Sequence, residues 1–425
     1  MQSKGLGVLP FPRTTSSILL GLMLLHLALA LVFAWEAPWR TPGVSNGHPL
    51  PDISAPDEIA HANYVGEILR TGHLPILDPK TAGAELTYEN HQPPLFYLLD
   101  AGMARLAGVT SVASPSAALP LRSLNALTGA STVAGTFCLA LWTCGRKRIA
   151  LVAAAVVALL PMNLAISGAL SNDPLLIALC TWTLALAVRH SDNAWHAVLV
   201  GALAGFAVLT KFTALLLVPV LPFLLKDRRG IAITAVVGSI LVLPWLLRNQ
   251  QVYGHPLAAP AFNAAFHRDV DLAALRTPYG FAHWAYVLLA GTALSFVGEF
   301  GYMDIHLPNV ICLLLVALLL VLMAAGIRFA CLERRTRLGF WIFLALLVAS
   351  YVSYNLWQVQ PQARYLFPAL GPLALAVALG LSRLGERAPL ASGIVLAGLA
   401  LASGIAIVTL PHEYAVRAAR VHALR

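Results

Sequence analysis

The stretch PNVICLLLVALLLVLMAAGIRFACLERRTRLGFWIFLALLVASYVSYNLW, residues 308–357, holds two apolar runs joined by a basic turn. Val310 to Ile327 is a run of 18 residues without a charge. As a helix it extends about 27 Å, close to the thickness of a bilayer's hydrocarbon core. Arg328, Arg334, Arg335 and Arg337 follow it against Glu333 alone. Clustered basic residues at the end of an apolar run mark the cytoplasmic side of a membrane span.

The same pattern recurs along the 425 residues. The chain is 59% hydrophobic and 11% charged, with mean hydropathy +0.76, against about 25% charged residues in a soluble protein. The net charge of +9 sits at the ends of apolar runs, which excludes a nucleic-acid partner and points to the bilayer. An all-α polytopic membrane protein with about eleven spans is expected. They fall near 16–35, 121–143, 149–170, 174–190, 195–210, 212–225, 230–247, 308–330, 338–357, 365–384 and 389–410. With the N-terminus inside, the inner segments carry 15 Lys/Arg against four acids, and the outer segments 13 against 15. That bias sets the orientation. The five cysteines lie in spans or at inner ends, so no structural disulfide is expected.

Residues 1–425 read as one transmembrane domain without a separate soluble one. Two large outer segments, 36–120 and 248–307, interrupt it. Each holds an apolar stretch, Pro94–Val109 and Trp284–Val297, expected to lie at the interface or dip into a protein-lined cavity.

The outer segments carry the chemistry-bearing residues. Ser54-Ala55-Pro56-Asp57-Glu58-Ile59-Ala60-His61 places two carboxylates at a helix start just beyond a span, with Asp57 and His61 on one helical face. This pattern suits a general base. Ser54 followed by Asp57 also fits a capping box, which accounts for Asp57 but not for Glu58 or His61. Tyr88-Glu89-Asn90-His91-Gln92-Pro93-Pro94-Leu95-Phe96-Tyr97 leads into a Pro-Pro helix start, and an interfacial aromatic belt explains it locally. Asp173 before Pro174 is ordinary helix-start chemistry. Lys211, between two short apolar runs, is either a snorkelling residue or a phosphate ligand. Arg248 and Arg364 each sit where a headgroup anchor is expected, yet a guanidinium fork also fits phosphate oxygens. Metal ligation by Asp57, Glu58, His61 and His91 matches no zinc or EF-hand spacing.

Several segments, taken in order, resemble the GT-C superfamily of membrane glycosyltransferases. They are Pro56-Asp57-Glu58 with His61, His91 to Tyr97, Ser171-Asn172-Asp173, Leu209-Thr210-Lys211, Pro244 to Asn249, Phe300-Gly301 and Gln362 to Pro368. The likeness is to the bacterial family 39-like branch, with protein mannosyltransferases and lipid A aminoarabinose transferases as relatives. A branch of predicted bacterial membrane proteins looks closer still. The resemblance implies 11 to 13 helices, an outer active site under the first loop, and a polyprenyl-phosphate sugar donor used without a nucleotide. It would make Asp57, with Glu58, catalytic, and Arg364, Lys211 and Arg248 the donor-phosphate ligands. His61, His91, Gln92, Tyr97, Asp173 and Tyr365 would line the pocket. No cofactor is required, a divalent metal is left open, and the acceptor is a glycan, lipid or protein. The expected location is a bacterial cytoplasmic membrane. Alternatives are a lipid or polysaccharide transporter or flippase, or a non-catalytic membrane subunit of a cell-envelope polysaccharide assembly system. Against the flippase, the polar residues gather in outer loops and no inverted repeat is seen.

Overall fold

The computed structural model describes residues 13–45, 47–80, 86–189, 191, 193–266, 268–329 and 331–423. The chain is helical. Helix α1 is Arg13–Glu36, and the first loop contributes α2 (Glu58–Thr71) and α3 (Leu95–Leu106). The next run comprises α4 (Ala118–Cys144), α5 (Lys147–Leu159), α6 (Pro161–Ser167), α7 (Asp173–Val188), α8 (Ala194–Thr210), α9 (Leu221–Leu224) and α10 (Arg228–Tyr253). The second loop holds α11 (Ala259–Ala265), α12 (Leu272–Leu275) and α13 (Pro278–Val297), and the chain closes with α14 (Asn309–Gly326), α15 (Arg334–Asn355), α16 (Leu370–Ser382) and α17 (Ala388–Ala423). Eight of the described helices are long and apolar enough to cross a bilayer, or nine with α5 and α6 taken as one span bent by 61°. Helices α7 and α8 are shorter apolar helices.

Among the eleven expected spans, 149–170 is bent, 174–190 and 195–210 are the shorter α7 and α8, and 212–225 departs furthest. Residues 212–225 form a 3-10 helix, Phe212–Leu217, and the four-residue α9. Pro219 and Pro222 remove backbone donors from this run, which prevents a continuous helix. The two stretches not expected to cross also differ from each other. Helix α3 has 12 residues, too short to span. Helix α13 has 20 and qualifies by length and composition. Its Trp284 indole donates to the Asn355 carbonyl at the C-terminal end of α15 (2.9 Å), and its Ser295 hydroxyl to the Pro361 carbonyl (3.2 Å).

The core runs through α4, α5, α7 and α16. Small residues let backbones touch: a Cβ on Gly326 of α14 would lie 1.8 Å from the Ala376 carbonyl of α16, so only glycine fits there. Cys144, at the end of α4, and Cys331, after α14, are joined as a disulfide with Cα atoms 5.4 Å apart. This corrects the expectation of none: α16 packs against both α4 and α14, and their ends are brought together.

Two short antiparallel hairpins brace the end of the bundle that carries the first loop. One pairs Gly43–Ser45 with His48–Leu50, and the other Glu299–Phe300 with Ile305–His306. Helix α17 runs past the core and clamps both regions. The Tyr414 hydroxyl donates to the Ser54 carbonyl (2.9 Å), and the Arg417 guanidinium donates to Asp304 (2.8 Å).

Candidate active site

The site starts from a backbone kink. Helix α2 begins at Glu58, and Asp57 precedes it in the left-handed region, φ 68° and ψ −8°. Asp is one of the few residues that tolerates this conformation. The kink turns the Asp57 side chain away from the helix N-terminus, and it makes no capping hydrogen bond. The expected capping box is absent: the Ser54 hydroxyl caps no amide of α2 and lies beside the Asp52 carboxylate instead. Asp57 instead accepts a short hydrogen bond from the Tyr88 hydroxyl and a 2.6 Å bond from Arg364.

Glu58 points the opposite way. Its carboxylate takes the fully buried Arg122 in a two-pronged pair, 2.8 and 2.6 Å, and accepts the Leu170 amide at 2.7 Å. Arg122 spends its remaining donors on the Ala34, Ala37 and Pro38 carbonyls, where α1 ends. The structure therefore places Glu58 as the anchor of the first loop, not beside Asp57 in the cavity. Arg122 was overlooked in the sequence. A guanidinium inside an apolar run signals a buried anionic partner, and that signal was present.

Arg364, buried in the 3-10 helix Ala363–Ala369, links distant elements. It bridges Asp57 (2.6 Å) and Asp173 (3.3 Å) and donates to Gln362 (2.6 Å). Asp173, the first residue of α7, also holds Lys211 at 2.5 Å. Lys211 sits at the break after α8 and faces the Tyr365 ring. It is thus ion-paired, which overturns the snorkelling reading. Asp57, Arg364, Asp173 and Lys211 form one network of two carboxylates and two cations.

The network faces a cavity of about 580 Å³. Tyr88, Glu89, His91, Gln92 and Tyr365 share its wall, and Phe262 of α11 with Phe266 just after it close it against His91 and Tyr88. Leu176, Ile177, Phe212, Leu347 and Pro368 give it an apolar side. His61 and Tyr97 lie just behind the wall, with the Tyr97 hydroxyl 2.9 Å from His61 Nδ1. Arg248, expected with the phosphate ligands, is elsewhere. It donates to the Pro75 carbonyl (2.8 Å), stacks on Trp245 and secures the first loop.

Electrostatics separate the groups. Burial alone would raise Asp57, but the Arg364 guanidinium, His61 and the Tyr88 hydroxyl outweigh it and hold the carboxyl down, to about 2. Glu89 moves the other way: burial raises it and the Asp57 charge adds to this, against His61. Burial depresses His61 and takes His91 to about 4, so the His91 ring is neutral near pH 7. Because His91 Nδ1 lies 2.6 Å from the Tyr88 carbonyl, that nitrogen carries the proton.

Asp57, His61 and Glu89 also offer three ligand atoms within 4.8 Å of one another, a geometry suited to a divalent cation. Glu58 and His91, weighed as ligands from sequence, are not in this set.

Solved structures match this polytopic helical fold. The Archaeoglobus fulgidus oligosaccharyltransferase tethered to an acceptor peptide superposes with a TM-score of 0.57 at 16% identity, over 94% of this chain and 55% of that one. The same enzyme, AglB, with an inhibitory peptide and a dolichol-phosphate gives 0.57 at 16%, over 96% and 56%. ArnT from Cupriavidus metallidurans bound to undecaprenyl phosphate gives 0.55 at 17%, over 92% and 64%. The chain thus spans between about half and two thirds of these proteins' length. No curated protein matches it by sequence. Residues 77–372 match the family described as predicted membrane protein (DUF2142), and the chain belongs to that family.

Proposed function

We propose that this protein is a glycosyltransferase that moves a sugar from a polyprenyl-phosphate donor to a glycan, lipid or protein acceptor on the extracytoplasmic side of a bacterial cytoplasmic membrane. One observation carries the reading: Arg364 and Lys211, two cations suited to a phosphate, line the same cavity as the Asp57 carboxylate. The lipid phosphates held by ArnT and AglB support a donor of this class. The orientation rests on the charge bias of the loops. One transmembrane domain then does the work, with its two outer segments meeting at the cavity, where His91 packs on Phe262.

The acceptor's hydroxyl oxygen attacks the anomeric carbon. The bond from that carbon to the phosphate oxygen breaks, and its electron pair leaves on the phosphate. Arg364 and Lys211 stabilise that charge as it develops, while the acceptor's proton passes to Asp57. Paired with Arg364, Asp57 is too acidic for a good base. A phosphate competing for the guanidinium loosens that hold and raises the carboxylate's proton affinity. Binding the donor therefore prepares the base. The apolar wall at Leu176, Phe212 and Leu347 suits the first isoprene units of the donor.

The test is the purified protein in lipid nanodiscs with a panel of undecaprenyl-phosphate-linked monosaccharides, scored by released undecaprenyl phosphate. Release that depends on Asp57 and Arg364 is expected. Release unchanged in Asp57→Asn and Arg364→Ala rules the reading out.

A further inference from the structure

One wall of the cavity carries no charge. The last turn of α15 and the segment leading to Arg364 build it, with Tyr354, Gln358, Gln360 and Tyr365 lining the space. The Tyr354 and Tyr365 rings meet edge to face, centroids 5.7 Å apart. Each phenol is tied to a glutamine: the Tyr354 hydroxyl donates to Gln358 Oε1 (3.0 Å) and the Tyr365 hydroxyl to Gln360 Oε1 (2.7 Å). The Gln360 carboxamide is thus fixed through its oxygen, and among the described residues nothing accepts from its Nε2. A second carboxamide, Gln92, enters the cavity from the first loop. Phe262 and Phe266, centroids 5.0 Å apart, add two ring faces.

We propose that this tyrosine–glutamine wall recognises the sugar of the donor, with Gln360 as its specificity-determining residue, and that the sugar is an uncharged, hydroxyl-rich pyranose, not a uronic acid or an amino sugar. This deepens the glycosyltransferase reading and rests on it. Arg364 and Lys211 lie over the Tyr365 ring, 5.2 and 5.7 Å from its centroid, and Gln360 holds the hydroxyl edge of that same ring. A sugar is joined to its phosphate through one oxygen. With the phosphate on these two cations, its outer hydroxyls lie a ring's width away, beside the Gln360 amide.

A pyranose presents hydroxyls at its rim and C–H bonds on its faces. Carboxamides both donate and accept, so they match the hydroxyls, and aromatic rings match the faces. A few convergent polar groups among apolar ones are what orient a small ligand. A charged sugar fits less well. Arg364 and Lys211 already serve Asp57 and Asp173 and have the donor phosphate to hold. Against the Gln360 wall, a uronic acid or an amino sugar finds no counterion among the groups that form it. The nearby Asp269 is spent on the Val359 amide (3.1 Å). An unpaired charge in a protein cavity costs far more than an unpaired hydroxyl. Glu89 lines the cavity beside His61 without a Lys or Arg partner among the described residues. An amino sugar drawn to it is the rival outcome of the experiment.

The experiment runs the undecaprenyl-phosphate release assay on donors carrying glucose, galactose or mannose, each beside its uronic acid and its 2-amino-2-deoxy form. In wild type the best neutral hexose should exceed both of its charged forms by at least about 10²-fold in kcat/KM. Gln360→Ala should lower kcat/KM for that hexose on the order of tenfold, while the inhibition constant of sugar-free undecaprenyl phosphate stays unchanged. Gln360→Glu is nearly isosteric and still accepts from Tyr365. It should shift the preference toward the amino form on the order of tenfold, and it carries the test should Gln360→Ala not purify. A wild type that prefers a uronic or amino form overturns the neutral assignment. Unchanged selectivity in the Gln360 variants, or an equal weakening of sugar-free undecaprenyl phosphate, overturns the role of Gln360. Both outcomes leave the transferase reading standing. Release that is absent from every donor, or indifferent to Asp57 and Arg364, removes that reading and this proposal with it.

Discussion

Asp57 and Glu58 are adjacent in sequence, and the structure predicts opposite consequences for removing their charges. Glu58→Gln deprives Arg122 of its counterion. The guanidinium is fully buried, and the carboxylate it faces is 1% exposed. Breaking a buried pair from one side costs about 3–5 kcal/mol. At 1.4 kcal/mol per decade this is a loss of roughly 10²- to nearly 10⁴-fold in the ratio of folded to unfolded protein. The Leu170 amide keeps at most one amide oxygen as its acceptor. Asp57→Asn behaves otherwise. Asn suits the left-handed backbone at least as well as Asp, and there is no capping bond to lose. Arg364 retains Asp173 and Gln362. The cost is therefore about 1–3 kcal/mol. Transfer should fall at least about 10²-fold, because an amide accepts no proton. Ser54→Ala, a control, should leave most of the turnover at a small cost in stability, since its hydroxyl caps no amide of α2 and touches only Asp52 outside the cavity. Thermal unfolding in detergent and the release assay measure both quantities. A stable but inactive Glu58→Gln beside an active Asp57→Asn would refute the assignment and make Glu58 the base.

Arg364→Lys should lose most donor use although it keeps the charge, because one ammonium cannot reach Asp57, Asp173 and Gln362 together; release equal to wild type removes the guanidinium from the mechanism. Tyr414→Phe should lower stability by about 1 kcal/mol and slow release, as the α17 clamp on Ser54 is lost; unchanged values in both measurements reject the clamp. His91 has a folded pKa of about 4 against an ordinary 6.5, so its contribution to stability is complete above 6.5 and is lost as pH falls toward 4. His91→Gln should flatten the unfolding-temperature profile across that window, and an unaltered slope assigns it to other groups. Cysteines introduced at Lys80 and Arg268 should react with an impermeant thiol reagent in intact spheroplasts; labelling only after lysis inverts the orientation.

Much of the fold was legible because membrane spanning is encoded locally. A run such as Val310 to Ile327 must be helical in lipid. The ordered motifs also named the partners Asp57, Asp173, Lys211 and Arg364. What local pattern does not encode is direction. A single left-handed residue turns Asp57 toward Arg364 and leaves Glu58 facing Arg122. Arg248, grouped with the phosphate ligands by its motif, reaches Pro75 instead, because α10 delivers it to the segment that follows α2. Glu89 lay inside a motif whose interfacial reading was sufficient, and only the packing of α2, α3 and α11 shows it beside Asp57 without a cation. Cys144 and Cys331 meet across 187 positions for the same kind of reason. Sequence determined that this chain is a membrane bundle and which residue types it brings to one end, since hydropathy period and helix-end chemistry act over a few neighbours. Tertiary structure decided which carboxylate meets which cation, since such pairing depends on helices that are distant in sequence and adjacent only once packed.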